Sequence, residues 1–285
     1  MRDKVILTNA ISGVLANRQQ CPAIPYTPAE YAAEAKRCYE AGAAVVHIHA
    51  REDDGSPSFR PERYAEIADA IRAACPLLLN FSTGAIGIPM EQRVGHITGY
   101  RPEIGALNAG SLTYAKYSAR RKTFVFDMVF ANPYKDILFL LEKMNASGVK
   151  PELECFDSGH VAGSEVLLEM GALKPPLDFS FILGVVGGMK ATAQHLAFQA
   201  QNVPAGSTWK VIGLSQEQWL MVAAALSLGG DVRVGLEDNF YLPNGEMARS
   251  NGDLVAKAAQ MARDVGREPA TPEEARRLLG LESAA

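Results

Sequence analysis

His47 and His49 stand two residues apart at the end of the apolar run Ala43–Ile48. Side chains at that spacing on a strand share one face, so both imidazoles can reach a single ion. Two neutral imidazoles and one carboxylate, with coordination positions left open, make a catalytic donor set for a divalent cation. Carboxylates are available at Glu237-Asp238, where a second apolar run ends. Neighbours in an extended chain face opposite ways, so this pair is expected to divide roles, one ligating and the other acting as a base. Arg233 precedes them, facing inward on its strand. A buried guanidinium is costly without an anion, which implies either a substrate carboxylate or a buried carboxylate such as Asp238. His96, His160 and His195 fall in loops or helices and read as surface or core histidines.

Eight short apolar runs must position these groups: Val5–Leu7, Ala43–Ile48, Leu77–Phe81, Ile104–Asn108, Glu152–Phe156, Leu177–Leu183, Trp209–Ile212 and Asp231–Val234. Several are apolar on both faces, as buried parallel strands are. Thr27-Pro28-Ala29-Glu30 is a capping box that opens a helix through Ala41, and Gly42 ends it. Further helices are predicted over Pro61–Ala74, Asp136–Ser147, Gly163–Met170, Thr192–Ala200, Gln216–Leu228 and Gly252–Val265. A second capping box at Thr271 opens the last, Pro272–Leu279. Strand alternating with helix, eight times over, predicts a single α/β domain over residues 1–285, a (β/α)₈ TIM barrel. An open doubly wound sheet is the competing architecture. Residues 113–133 form an insertion, longer than an ordinary connection, with the character of a lid or a subunit contact. Polar residues gather where the strands end, which is where a parallel barrel keeps its chemistry.

The chain has 285 residues, 48% of them hydrophobic, and a net charge of −4. That charge argues against a nucleic-acid partner. The four cysteines lie far apart with no CxxC pair, which fits a reducing cytoplasm. Neither a membrane span nor a signal peptide is visible. Gly184-Val185-Val186-Gly187-Gly188 lacks the GxxxxGK[ST] frame of a nucleoside triphosphate loop, and its glycines either admit a bulky ligand or turn the chain.

HIHAREDDG, NFSTGAIG, ALNAGSL, PELECFDSGH, FILGVVGGM and VRVGLEDN together resemble the β-keto acid cleavage enzymes, typified by the 3-keto-5-aminohexanoate cleavage enzyme. The resemblance implies Zn²⁺, or another divalent metal, on His47, His49 and Glu237. It implies Asp238 as general base oriented by Arg233, Ser82 as a hydroxyl assisting thioester transfer, and Glu154 as a carboxylate of the same pocket. Leu15, Thr83, Gly84, Ala106, Asn108, Gly187 and Gly188 fall at substrate-binding positions. The implied reaction joins a β-keto acid to acetyl-CoA and cleaves by a retro-Claisen step to acetoacetate and a new acyl-CoA. Asp238 is expected to take a proton from the acetyl methyl, so that the carbanion attacks the ketone. A homotetramer is also implied.

Two departures bear on the substrate. Leu15 replaces a glutamate that holds the substrate ammonium in the aminohexanoate enzyme, and Ala106 replaces a threonine. Burying an ammonium against an apolar wall is costly, so an uncharged, partly apolar β-keto acid is expected instead. A barrel metallohydrolase using metal-bound hydroxide and a non-catalytic sensor of metal or acyl-CoA are the competing functions. The former commonly takes further histidines from later strand ends, and this chain has none there. The set of Asp238, Arg233 and Ser82 speaks against the latter.

Overall fold

A computed structural model describes residues 2–281, so residue 1 and residues 282–285 of the expected domain lie outside the described residues. In chain order the elements begin β1 (Lys4–Val5), β2 (Leu7–Ala10), α1 (Pro28–Ala41), β3 (Val45–Ile48), α2 (Pro61–Ala74), β4 (Leu78–Ser82), α3 (Met90–Tyr100) and β5 (Ile104–Asn108). An excursion, β6 (Leu112–Ser118) and β7 (Thr123–Phe130), leads to α4 (Tyr134–Ser147), β8 (Lys150–Cys155), α5 (Ser158–Glu169), β9 (Asp178–Leu183) and α6 (Ala193–Gln201). The chain continues through β10 (Thr208–Gly213), α7 (Gln218–Leu228), β11 (Asp231–Val234), α8 (Asn251–Asp264), β12 (Glu268–Pro269) and α9 (Pro272–Leu278). Strands β2, β3, β4, β5, β8, β9, β10 and β11 close in that order into a parallel barrel. The β11–β2 ladder, with Arg233 opposite Thr8, closes the ring and excludes the open sheet.

The first strand differs from expectation. The barrel ladder uses Leu7–Ala10, whereas Lys4–Val5 pair with Glu268–Pro269. Between them the Ile6 amide donates to the Asp231 carboxylate (2.7 Å), while its carbonyl accepts from the Val232 amide (3.3 Å). Thr8 and Asn9, polar residues just beyond the expected run, lie within the ladder and are fully buried. The Asn9 amide is satisfied by the Val234 carbonyl (3.2 Å) and the Asn251 side chain (3.1 Å). Helix α3 has no counterpart in the sequence reading. It carries Gly95 and Gly99 and lacks a side-chain N-cap, so its local signals are weak. Packing supplies what propensity does not: His96 stacks on Tyr64 (3.9 Å between ring centroids) and bonds the Ser82 carbonyl (2.8 Å). Both capping boxes form, and Gly42 takes the left-handed conformation (φ 110°) that ends α1.

Inward-facing residues fill the lumen in layers. At the N-terminal mouth, α9 seals the tube: Ala275 and Leu279 pack on Ile6, Val45, Leu78 and Ile104. Above them is a charged layer. Lys210 donates to Asp178 (2.7 Å) and lies 3.1 Å from Glu152, which also accepts from Ser180 (2.6 Å). The third layer, at the C-terminal ends of the strands, holds the groups of chemical interest. Among the described residues no helix is long and apolar enough to cross a membrane, and all four cysteines are free and buried.

Truncating the plug tests its part in the cooperative core. Leu279→Ala should lower the unfolding free energy by roughly 2–5 kcal/mol in a urea titration. An unchanged midpoint would show α9 to be peripheral.

Candidate active site

On β3 the apolar Val46 and Ile48 face the helices, which turns His47 and His49 into the lumen. Strand β2 separates β3 from β11, with Ala10 opposite His47. The chain after β11 must therefore cross β2 to bring a carboxylate to the imidazoles. Gly235 permits this. A β-carbon there would sit 2.1 Å from the Ala10 carbonyl oxygen, so the two backbones touch. The amides of Asp238 and Asn239 bond back to the Gly235 carbonyl (3.1 and 3.0 Å), and the Glu237 amide bonds Ala10 (3.2 Å). This turn aims Glu237 across β2.

One Glu237 oxygen lies 3.7 Å from His47 Nε2 and 3.6 Å from His49 Nε2. One donor atom from each of the three residues falls within 4.8 Å of the others. Neither ring nitrogen of His47 has a hydrogen-bond partner, nor does Glu237 Oε2, and all three atoms are buried. Buried polar atoms are nearly always partnered, so unpartnered donor atoms that converge suit a cation. Burial, assisted by the Arg233 charge, pushes the His47 pKa down to about 3, so its imidazole is neutral, the form that binds a metal. Burial opposes the Glu237 charge, but Arg233 and the two histidines outweigh it and hold the carboxyl well below its usual range.

Arg233 is almost wholly buried and donates to three carboxylates. Nε and Nη2 clamp both oxygens of Asp238 (2.9 and 3.0 Å), Nη2 also reaches Glu237 (2.6 Å), and Nη1 reaches Glu154 (3.4 Å). Of the two partners considered for this guanidinium, the buried carboxylate is the one present. Three acids against one base leave a local excess of negative charge, which a divalent cation would neutralise. Burial raises Asp238 to about 6 and Glu154 to about 7, in each case against the pull of Arg233.

The remaining expected residues fall into two groups. Ser82, Gly84 and Asn108 stand beside the histidines: a β-carbon at Gly84 would lie 3.3 Å from Ser82 Oγ, 3.6 Å from Asn108 Nδ2 and 3.9 Å from His49 Cε1. The Ser82 hydroxyl accepts from the Gly84 amide (3.0 Å). Ala106 is buried, in register with Ser82 and Glu152. Thr83, Leu15, Gly187 and Gly188 are not gathered with these. The Thr83 hydroxyl donates to the Ala106 carbonyl (2.8 Å), Leu15 is 71% exposed at the rim, and Gly187 and Gly188 lie against the backbones of Thr113 and Phe156.

Two residues escaped the sequence reading. Buried Arg51 donates to the carbonyls of Gly13 (2.9 Å), Gly55 (2.7 Å) and Ala16 (2.6 Å), pinning the loop that lies against Glu237. Its spacing, two beyond His49, was the available signal. Tyr114, on the β6–β7 hairpin, packs against the cluster containing Ile212, the register partner of Arg233, and its pKa is raised by burial and then by the charges of Asp238, Glu237 and Glu154. No local pattern announces that.

Fold and centre together define a parallel-barrel enzyme with a histidine–carboxylate cluster at the strand ends. The chain belongs to the β-keto acid cleavage enzyme family, whose model it matches over residues 4–281. It is 39% identical to a 3-keto-5-aminohexanoate cleavage enzyme of Fusobacterium nucleatum, with 99% of each chain covered. It is 33% identical to a 3-oxoadipate:acetyl-CoA acetyltransferase of Cupriavidus necator, covering 99% of this chain and 97% of that one. The apo structure of ObcA shares the fold, with a TM-score of 0.78 at 21% identity; the match covers 91% of this chain and 66% of that protein.

Glu154 gives the metal-stripped protein a predictable pH response. Its carboxyl titrates at about 7 in the fold, against about 4.3 in an unfolded chain. The folded state holds the proton longer, so this contribution to stability is full below about pH 4 and is lost as the pH rises through 7. Removing the guanidinium steepens the loss. Arg233→Met should cost about 3–5 kcal/mol at pH 8 and much less at pH 5, where the acids bind protons. A pH-independent penalty in chemical denaturation would contradict this electrostatic account.

Proposed function

We propose that this chain is a zinc-dependent enzyme converting a β-keto acid and acetyl-CoA to acetoacetate and a new acyl-CoA. The observation that carries the reading is the convergence of His47, His49 and Glu237 beside a base, Asp238, held at two points by Arg233. A homotetrameric assembly, by family resemblance, and a cytoplasmic location, which the four free cysteines suit, belong to the same proposal. Two imidazoles and a carboxylate form a catalytic zinc donor set. A bound cation supplies Lewis-acid charge to the ketone and carboxylate oxygens of the keto acid.

Asp238, poised at about 6, is matched to proton transfer near neutral pH. Atom balance decides which proton it takes. A carbanion on the acetyl methyl would join acetate carbons to the ketone carbon and does not lead to acetoacetate, so the expected methyl deprotonation is replaced. The proton comes from C2 of the keto acid, which is acidified by the ketone beside it. C2 then bonds to the acetyl carbonyl carbon, and the C–S bond breaks to release CoA thiolate. Thiolate attacks the original ketone carbon, the C2–C3 bond breaks, and the proton held by Asp238 returns to C2. Acetoacetate leaves with the acetyl group, and the remaining acyl chain leaves on sulfur. Ser82, whose oxygen already accepts from Gly84, steadies the departing thiolate by a hydrogen bond from its hydroxyl and keeps its proton, so the sulfur remains nucleophilic.

The substrate is proposed to be uncharged and partly apolar beyond its ketone. Leu15 and Ala106 offer an ammonium neither a carboxylate nor a hydroxyl, and Arg233 is already engaged by three acids. With acetyl-CoA, a neutral acid such as 3-oxohexanoate should give acetoacetate at a higher kcat/KM than 3-keto-5-aminohexanoate does. The reverse ranking would sink the substrate assignment, and acetoacetate formed without acetyl-CoA would sink the reaction. A chelator should abolish turnover and Zn²⁺ restore it. Asp238→Asn should lower kcat by roughly 10²–10⁴-fold while still binding one Zn²⁺ per chain by calorimetry.

A further inference from the structure

The β6–β7 hairpin interrupts the βα repeat without adding to the barrel, and its composition is unlike that of the rest of the chain. Four cations, Lys116, Arg120, Arg121 and Lys122, and one carboxylate, Asp127, lie within residues 113–130, in a protein of net charge −4. Arg120, Arg121 and Lys122 form the exposed tip. The base is apolar: Leu112 packs with Phe156, Ile182, Val185 and Ile212, and Tyr114 and Phe130 lean on that cluster. Ile182 and Ile212 pair across β9 and β10, and Ile212 is opposite Arg233, so the apolar cluster adjoins the acid clamp directly.

Alternation fixes what one face of the hairpin carries. Leu112 and Tyr114 on β6 stand opposite Phe130 and Met128 on β7, and Phe126 follows on the same face. These side chains are buried or half-buried, whereas Thr113, Val125, Asp127 and Val129 on the other face are exposed. Tyr114 stacks on Phe126 (5.7 Å between centroids) and meets Phe130 and Phe156 edge-on (6.0 and 6.1 Å). From Tyr114 to Ser118 the strand runs ~13 Å. The hairpin is also anchored: the Ala115 amide bonds the Val186 carbonyl (3.4 Å), and Gly187 lies against Thr113. An aromatic and thioether track therefore leads from the acid clamp out to a cluster of cations.

We propose that this hairpin is the binding element for the coenzyme arm of the acyl thioester. The pantetheine chain lies along Tyr114, Phe126, Met128 and Phe130, and the phosphates of the nucleotide end meet Arg120, Arg121 and Lys122. The inference rests on the reading of this chain as an acetyl-CoA-using enzyme, and it selects the occupant by charge. A thioester of this kind is apolar and extended near sulfur and polyanionic at its far end, which is the order in which the hairpin presents its side chains. A β-keto acid is too short to reach the tip and carries its charge at the wrong end.

The test uses the full-length zinc enzyme with Arg120, Arg121 and Lys122 all changed to Ala, exposed positions outside the proposed catalytic centre. The KM for acetyl-CoA should rise roughly tenfold or more, the yield of one or two lost charge-assisted contacts. The kcat and the KM for the keto acid should stay as they were. Acetyl-pantetheine, which lacks the phosphates, should show the same KM with both proteins, and the wild-type preference for acetyl-CoA should fade with added salt. Tyr114→Leu should raise the KM for both thioesters. An unchanged acetyl-CoA KM in the triple variant overturns the proposal, as does an equal rise for acetyl-pantetheine.

Calorimetry with free CoA separates this inference from the one beneath it. Equal binding to wild type and triple variant removes the hairpin site and leaves the reaction intact. No binding to wild type removes both. A triple variant that falls to a smaller assembly while keeping its CoA affinity makes the hairpin a subunit contact instead.

Discussion

A single buried guanidinium organises the upper half of this barrel. Arg233 sits where burial disfavours any charge, and it stays charged because Asp238, Glu237 and Glu154 surround it. The dependence is mutual, since among the described residues none of the three acids has another Lys or Arg side chain within hydrogen-bonding distance. Such a cluster is a poor source of net stability, because desolvation offsets most of the attraction. What it provides is placement. The planar fork fixes Asp238 at two points and Glu237 at a third, so a base and a ligand that are neighbours in sequence are held in different orientations.

The rest of the site follows from where strands can bring side chains. Strands β11 and β3 are not adjacent, and β2 between them contributes no polar inward group at the height of His47: its residue there is Ala10. A small residue leaves the room that Glu237 crosses. Thus an alanine and a glycine, neither of which would be picked out by a search for reactive side chains, decide whether the histidines share a carboxylate.

Much of this was legible in the sequence because it depends on short-range regularities. The HxH spacing, the alternation of apolar runs with capped helices, and the polar strand ends are all local, and each survives into the structure. Losses occurred where tertiary contacts overrode local pattern. Helix α3 is held by His96 against Tyr64 and by the Ser82 carbonyl, not by a cap or a strong propensity. Strand β2 contains Asn9, a buried polar residue whose side-chain partners Val234 and Asn251 lie more than two hundred positions away, so the strand was read two residues early. The hairpin was visible only as surplus length. Where Tyr114 stands depends on the anchorage of its neighbour Ala115 to Val186, a contact that no spacing rule predicts.

Helix α9 has a consequence beyond packing. By stoppering one end of the tube, above which Lys210, Asp178 and Glu152 fill the bore, it makes the lumen a blind alley. Whatever reaches the strand-end groups therefore comes and goes by the C-terminal mouth alone, a direction imposed by seven residues at the opposite pole of the barrel.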